Sequence, residues 1–315
     1  MSHRVKLTAL GIFSALLIVI YLFIDLGSNW DYVLPRRGMK ILAILMTGGA
    51  IALSTVIFQT ITHNRILTPS IMGLDSLYVF MQTVVIFFLG SSTLTMMSNH
   101  LNFLVTVAGM ILFAVLLYHV FFRQEKYNIY FLLLVGLIFG ILFDSLSSFM
   151  QVLIDPNEFL IVQDKMFASF NNINTDLVWA SCILILVVFL YFMRFFKYLD
   201  VISLGKDQAI NLGVHYNRVV RQLLIIVSVL ISISTALVGP ITFLGILVAN
   251  LSYEMFRTYK HSYLILGAVL ISFIALTGGQ MVVERVFTFE TTLSVIINFI
   301  GGFYFIYLLL KENRL

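Results

Sequence analysis

The chain contains ten apolar runs of about 20 residues, the length that an α-helix needs to cross the core of a bilayer. Of its 315 residues, 60% are hydrophobic and only 11% are charged, whereas soluble domains carry about 25% charged residues. In lipid, backbone polar groups must be satisfied within the segment, so such runs fold as helices. All four prolines fall near the ends of these runs, where a missing N–H costs least. The sequence therefore predicts an all-α polytopic membrane protein, a single domain over residues 1–315, with spans at 7–26, 39–62, 71–90, 101–122, 129–152, 177–196, 219–238, 241–257, 262–283 and 291–310.

The basic residues predict the orientation of these spans, because Lys and Arg collect in the cytoplasmic loops of membrane proteins. An even number of spans places both termini on one side. If the N-terminus is cytoplasmic, most of the 19 basic residues lie inside, and five lie outside: Arg36, Arg37, Lys40, Lys165 and Arg285. We therefore expect both termini to face the cytoplasm.

Residues 198–218 form the largest polar interruption between two predicted spans on the cytoplasmic side. Two glycines, Gly205 and Gly213, bracket a stretch whose apolar residues include Ala209 and Leu212. This pattern predicts a two-turn helix that Gly213 ends at its C′ position. Because so short a helix is not stable alone in water, it should be ordered by packing against the spans or against another protein.

The stretch LGKDQAINLGV, at 204–214, resembles the cytoplasmic "LG…A..LGV" segment of the FecCD family, the permeases of iron-siderophore and vitamin B12 ABC importers. Farther along, VGPITFLGIL at 238–247 is similar to the turn and helix that follow in that family. The resemblance implies the type II ABC importer permease fold. It also implies that the short helix is the coupling helix, which transmits closure of the ATPase subunits to the membrane helices. The residues that it places in this role are Leu204, Gly205, Ala209, Leu212 and Gly213.

The resemblance extends to the start of the chain, where VLPRRGMK at 33–40 is similar to the family's "RLPR" region. This chain has Val33 at the first arginine position, keeps Arg36 at the second and adds Arg37. In the family, arginines at the outer ends of the spans bind acidic residues of the substrate-binding protein. The resemblance therefore implies such docking by Arg36 and Arg37, with Arg285 as a second candidate. The alternative is that Arg36 and Arg37 pair with lipid headgroups or with Asp31.

A polar stripe interrupts the fifth predicted span, where Asp144, Ser147, Ser148 and Gln151 recur at helical spacing. An Asp at membrane depth costs about 2.5–3.5 kcal/mol on insertion scales, so it should face protein or water. One interpretation is that the stripe lines the translocation path, which the corresponding helix borders in the family. The other is a hydrogen-bond network between helices, or an Asp that lies at the headgroup boundary.

Several other classes of protein fit the sequence poorly. There is no G-x-x-x-x-G-K-[ST] phosphate loop, so ATP must be hydrolysed by another chain. Cys182 is the only cysteine, and no His, Cys or carboxylate residues recur at metal-ligand spacing. The basic residues are scattered in small groups, as topology signals are. We therefore predict a protein without enzymatic activity, metal or cofactor, and without a nucleic-acid partner.

These features together predict a permease subunit of an ABC importer in the cytoplasmic membrane, carrying ferric siderophores. The expected partners are ATPase subunits, a second permease subunit, identical or homologous, an extracytoplasmic substrate-binding protein and the lipid bilayer. Vitamin B12 and haem are the alternative substrates. An ion-coupled secondary carrier is a further alternative, disfavoured because such carriers use several intramembrane charges.

Overall fold

The computed structural model describes residues 2–25, 29–90, 99–122, 129–171 and 173–312. Within these ranges the fold is almost wholly helical, with one turn of 3₁₀-helix at Pro69–Met72. The α-helices of the described residues are, in chain order, α1 (His3–Phe23), α2 (Trp30–Thr62), α3 (Leu74–Leu89), α4 (Asn99–Phe122), α5 (Ile129–Leu153), α6 (Pro156–Met166), α7 (Thr175–Phe192), α8 (Phe196–Ile202), α9 (Lys206–Asn211), α10 (Tyr216–Val238), α11 (Leu244–Phe256), α12 (His261–Arg285) and α13 (Leu293–Glu312).

Eight helices in the described ranges are long and apolar enough to cross a membrane: α1, α2, α4, α5, α7, α10, α12 and α13. Each coincides with a predicted span. Two shorter apolar helices, α3 and α11, occupy the remaining predicted spans. At 1.5 Å per residue they are about 24 and 20 Å long, which is less than the thickness of the hydrocarbon core. The chain is thus an all-α multi-pass membrane protein, as predicted.

The centre of the bundle is formed by α2 and α10, most of whose residues are buried. Helices α11 and α12 pack along α2, while α4 and α7 pack against α10. By contrast, α5 and α13 expose large apolar side chains along much of their length, such as Phe149 and Phe303. These two helices therefore present surfaces for lipid or for another membrane subunit.

Small residues allow α5 to cross the start of α3 in backbone contact. A Cβ atom added to Gly140 would lie 3.3 Å from the Cα atom of Gly73. One added to Gly136 would lie 2.8 Å from the Cα atom of Met72, closer than Cβ atoms approach other atoms. Helix association in lipid relies on such close packing, so this crossing fixes α3 against α5.

Helix α2 begins nine residues before its predicted span, at Trp30. Pro35 therefore lies inside a helix, and the prediction that every proline lies near a span end is wrong for this residue. Hydropathy excluded the first turns because Arg36 and Arg37 are charged. Arg37 is half-buried and donates to carbonyls at the end of α1, whereas Arg36 is exposed, with its guanidinium over the ring of Tyr32.

Two names for the ends of the bundle follow the orientation predicted from the basic residues. The inner end carries Thr62, at the end of α2, together with α8 and α9. The outer end carries the start of α2 and the last residue of α12, Arg285.

Candidate functional site

The inner end carries two short helices, α8 and α9, where the sequence predicted one. Gly205 lies in the turn between them. Gly213 has a φ of 82°, in the left-handed region that favours glycine. Its N–H bonds to the carbonyl of Ile210 at 2.9 Å, and the N–H of Val214 bonds to the carbonyl of Ala209 at 3.0 Å. This pair of bonds is a Schellman motif, and it confirms the prediction that Gly213 ends the helix at C′.

The side chains of this segment divide into an anchored face and a free apolar face. Ala209 of α9 is fully buried, and so are Leu199 and Ile202 of α8. The aliphatic side chains that remain exposed are those of Leu204 (57%), Ile210 (48%) and Leu212 (63%), and we call them the inner apolar surface. Three exposed aliphatic side chains on one short ordered segment are typical of a surface that another protein covers.

A set of polar side chains, which the sequence analysis missed, attaches α8 to the rest of the bundle. Asp200 of α8 accepts a hydrogen bond from the backbone N–H of His261 at 3.0 Å, and its Oδ1 lies 2.6 Å from Nδ1 of the His261 ring. The other ring nitrogen, Nε2, lies 2.8 Å from the Thr60 hydroxyl. We call Asp200, His261 and Thr60 the inner hydrogen-bond chain.

The polar stripe of α5 does not face one direction. Asp144 and Ser148 are exposed, whereas Ser147 is buried and donates to the carbonyl of Phe143 in its own helix at 2.7 Å. Gln151 is half-buried and donates to the hydroxyl of Thr83 on α3, at 3.4 Å. Half of the stripe therefore serves helix packing. The other half, Asp144 and Ser148, remains available to a translocation path.

Asp75, like Asp144, is an acidic residue near the α3–α5 crossing. The sequence analysis did not identify it. It lies two residues after Gly73, and one of its carboxylate oxygens accepts a hydrogen bond from Thr235 of α10 at 3.3 Å. Asp144 lies four residues after Gly140, on the other side of the same crossing. The signal that could have indicated Asp75 is its position as an acidic residue in the first turn of an apolar run.

At the outer end, Arg37 closes the C-terminus of α1. Its Nη1 lies 3.2, 3.1 and 2.5 Å from the carbonyl oxygens of Tyr21, Leu22 and Ile24. The last carbonyls of a helix have no partner within the helix, and a cation there is favoured by the helix dipole. The structure thus gives Arg37 a structural task.

Arg285 reaches the same place from the end of α12. It donates to the carboxylate of Asp25 at 2.7 Å and to the carbonyl of Ile24 at 3.2 Å. The side chain of Asp25 is 73% exposed, so this ion pair is on the surface. Arg37 and Arg285, predicted to dock a partner, are thus brought together around the end of α1.

A polar cluster centred on Glu284 joins α12 to α2 at the outer end. Glu284 accepts hydrogen bonds from Lys40 at 2.9 Å, Tyr21 at 2.7 Å and Gln280 at 2.8 Å. Gln280 also donates to Asn171 at 2.9 Å. Because Glu284 has three donors, including a cation, it is well satisfied in this half-buried position.

Arg36 occupies a different position from the other two candidate docking arginines. It is exposed, and its guanidinium lies over the ring of Tyr32, 4.3 Å from the ring centre. Both residues border a cavity of about 590 Å³ whose lining also includes Lys40, Asn171 and Phe289. Of the three predicted arginines, Arg36 is therefore the one best placed to meet an approaching protein.

Comparison with known proteins identifies the family. A family model described as the FecCD transport family matches residues 4–311. The chain belongs to the FecCD transport family. As predicted, this FecCD chain is similar over its length to siderophore import permeases. It is 62% identical over 314 residues to the petrobactin import system permease protein YclO of Bacillus subtilis, covering 100% of this chain and 99% of that protein.

A second permease of the same B. subtilis strain and of the same import system is more distant from this FecCD chain. The petrobactin import system permease protein YclN is 26% identical over 284 residues, covering 87% of this chain and 84% of that protein. The strain thus has two petrobactin permease proteins. This chain is far closer to one of them than to the other.

A solved structure has the same fold. An ABC transporter of the metal-chelate type, in an inward-facing conformation, superposes with a TM-score of 0.84 at 23% identity, over 98% of this chain and 100% of that chain. This likeness confirms the predicted type of permease fold for the FecCD chain.

Proposed function

We propose that this chain is one half of the permease of an ABC importer that carries ferric petrobactin across the cytoplasmic membrane. The observation that carries the proposal is the identity of 62% to YclO over the whole of both chains. ATP is hydrolysed by separate ATPase subunits, and an extracytoplasmic protein delivers the ferric siderophore.

The second half of the permease is a homologous chain of the YclN type, and not a copy of this one. The support is the unequal similarity to the two B. subtilis petrobactin permeases, 62% to YclO and 26% to YclN. The exposed apolar side chains of α5 and α13 are the surfaces that such a partner could cover.

The inner apolar surface is the proposed contact with the ATPase. Leu204, Ile210 and Leu212 point away from the bundle, while Ala209 and the Schellman motif hold their segment in place. Docking therefore does not require the segment to fold first. An anchored helix with exposed aliphatic side chains can transmit a movement, which a flexible loop cannot.

Complementation tests both the substrate and the position in the permease pair. The chain is expressed in a B. subtilis strain that lacks YclO and, separately, in one that lacks YclN. Uptake of radioactive iron bound to petrobactin is then measured. We expect uptake to return in the first strain and to stay at background in the second.

Other outcomes would replace parts of the proposal. Uptake restored in both strains would mean that the chain can also take the place of YclN, by pairing with YclO or with a copy of itself. If ferric petrobactin is not taken up but a ferric hydroxamate, haem or vitamin B12 is, the substrate assignment is wrong while the role as a permease stands.

The translocation path is proposed to run along Asp144 and Ser148. In a Cys182→Ala background, a cysteine introduced at position 148 should react with a membrane-impermeant thiol reagent, at a rate that changes with the nucleotide state of the ATPase. The control is a cysteine at position 147, whose side chain is buried and should stay unreactive. Equal rates at the two positions, in every state, would return the stripe to helix packing.

A further inference from the structure

We propose that the inner hydrogen-bond chain of Asp200, His261 and Thr60 is the connection through which movement of the coupling segment, α8 and α9, reaches α2 and α12. His261 is then a positioning residue for transport. This inference rests on the proposed function, in which an ATPase moves α8 and α9. It adds the route within this chain by which that movement enters the bundle.

The geometry of His261 supports a direct mechanical link. It is the first residue of α12, and its side chain is only 4% exposed. Both ring nitrogens are used, Nδ1 toward Asp200 of α8 at 2.6 Å and Nε2 toward Thr60 of α2 at 2.8 Å. The same Thr60 hydroxyl also lies 2.7 Å from the carbonyl oxygen of Val56, one turn earlier in α2, so it contacts both its own helix and the His261 ring. One buried ring thus joins three helices.

Directional bonds of this kind resist relative movement of the helices. Asp200 holds His261 by the ring and by the backbone N–H, at 2.6 and 3.0 Å. If α8 moved by one or two ångström while α12 stayed in place, both bonds to Asp200 would break and leave Nδ1 and the backbone N–H of His261 without their partner. Unsatisfied buried polar groups are unfavourable, so α8 and α12 should move together.

The route continues because α2 and α12 are tied at both ends. At the inner end the tie is Thr60 to His261, and at the outer end it is Lys40 to Glu284, at 2.9 Å. The two helices also pack along each other between these points. A displacement that enters at His261 should therefore shift the pair as a unit and reach the outer end.

The simpler explanation is that Asp200 only caps the start of α12, as a carboxylate near a helix N-terminus does. Capping requires Asp200 and the His261 backbone, but it does not require the Thr60 hydroxyl. Thr60 therefore separates the two explanations. Thr62 provides a matched control, because its hydroxyl is also buried and bonds to a carbonyl one turn earlier, as that of Thr60 does, but has no bond to His261.

The experiment uses the complete importer in proteoliposomes, with a YclN-type permease, the ATPase and the binding protein. Ferric petrobactin uptake and ATP hydrolysis are measured in the same vesicles. We expect Thr60→Val to lower uptake per ATP hydrolysed by about threefold to tenfold, the size of effect found for residues that couple two sites. Thr60→Ser, which keeps the hydroxyl, and Thr62→Val should leave this ratio at the level of the unaltered chain.

The connection is overturned if Thr60→Val and Thr62→Val give the same ratio. It is also overturned if uptake and hydrolysis fall in parallel with the amount of folded protein, which is the result that a purely structural role predicts.

A second measurement does not depend on transport. Asp200→Ala, Thr60→Val and the double variant are compared by thermal unfolding of the purified permease. Because both residues act through one His261 ring, the double variant should lose less than the sum of the single losses. Additive losses overturn the connection. By contrast, the proposed function fails if the importer with the unaltered chain does not take up ferric petrobactin. In that case the unfolding comparison still tests whether Asp200 and Thr60 are connected through His261.

Discussion

The inner and outer ends of the bundle use their side chains in opposite ways. At the inner end, polar groups anchor α8 from within, and aliphatic side chains next to α9, such as Leu212, point outward. At the outer end, charged side chains such as Arg37 and Lys40 are bonded to other parts of the same chain. The inner end therefore offers aliphatic side chains that another protein can bury, while these charged side chains of the outer end already have partners within the chain.

This difference indicates where each kind of partner can act. An apolar surface on an anchored segment suits a permanent subunit, because burying aliphatic side chains gives lasting affinity. Exposed charge at the outer end suits a partner that binds and leaves, because it acts mainly on the rate and orientation of encounter. Arg36 is the arginine best placed for that second role.

The largest effect is expected from Gly213→Pro at the inner end. Proline fixes φ near −65° and removes the N–H that bonds to Ile210, so the Schellman motif cannot form. Uptake and transport-linked ATP hydrolysis should fall by more than about tenfold, since a misplaced proline costs about 3 kcal/mol, while the protein stays inserted. The control is Gly213→Asn, because asparagine tolerates a positive φ and a Cβ atom meets nothing within 4 Å there. If Gly213→Pro supports normal turnover, the segment is not the coupling element.

A smaller effect is expected from Arg37→Gln at the outer end, and it should appear as lost stability. The variant leaves the last carbonyls of α1 without their cation, so the free energy of unfolding should fall by about 1–3 kcal/mol. Arg285→Gln should cost less, about 0–1 kcal/mol, because its ion pair with Asp25 is exposed. Thermal unfolding in detergent measures both. If both variants lose a negligible and equal free energy of unfolding, the bonds of Arg37 to the end of α1 do not stabilise the protein.

The smallest effect is expected from Arg36→Glu, and it should appear in kinetics alone. Association of the permease with its substrate-binding protein should slow several-fold at low salt, and the difference should shrink as salt screens the charge. The unfolding temperature should not change, in contrast to Arg37→Gln. Restoration of the rate by a Glu→Arg change on the binding protein would identify the contact, whereas an unchanged rate at low salt would remove Arg36 from it.

The features that the sequence predicted correctly are local ones. A span depends on about 20 consecutive residues, and the C′ role of Gly213 depends on its position after a short polar helix. Hydropathy therefore found the membrane helices, and turn chemistry found the end of α9. The first turns of α2 were missed because the charges of Arg36 and Arg37 outweighed the apolar residues around them.

The features that the sequence could not predict depend on residues far apart in the chain. Asp200 and His261 are 61 positions apart, and Thr60 is 201 positions from His261. Each is an ordinary polar residue near the end of a helix, so no spacing rule connects them. The same holds for Lys40 and Glu284. Only the packing of α12 against α2 and α8 brings these side chains within bonding distance.

The central claim, that the inner apolar surface binds the ATPase, is tested most directly by the affinity between the two. The ATPase is titrated onto the reconstituted permease pair carrying Leu212→Asp. We predict binding weaker by more than about tenfold, because burying a leucine contributes about 1.5–3 kcal/mol. The control is Asn217→Asp, which adds the same charge at an exposed inner position and should change affinity by less than about twofold. Unchanged affinity in Leu212→Asp, or an equal loss in both variants, would contradict the account.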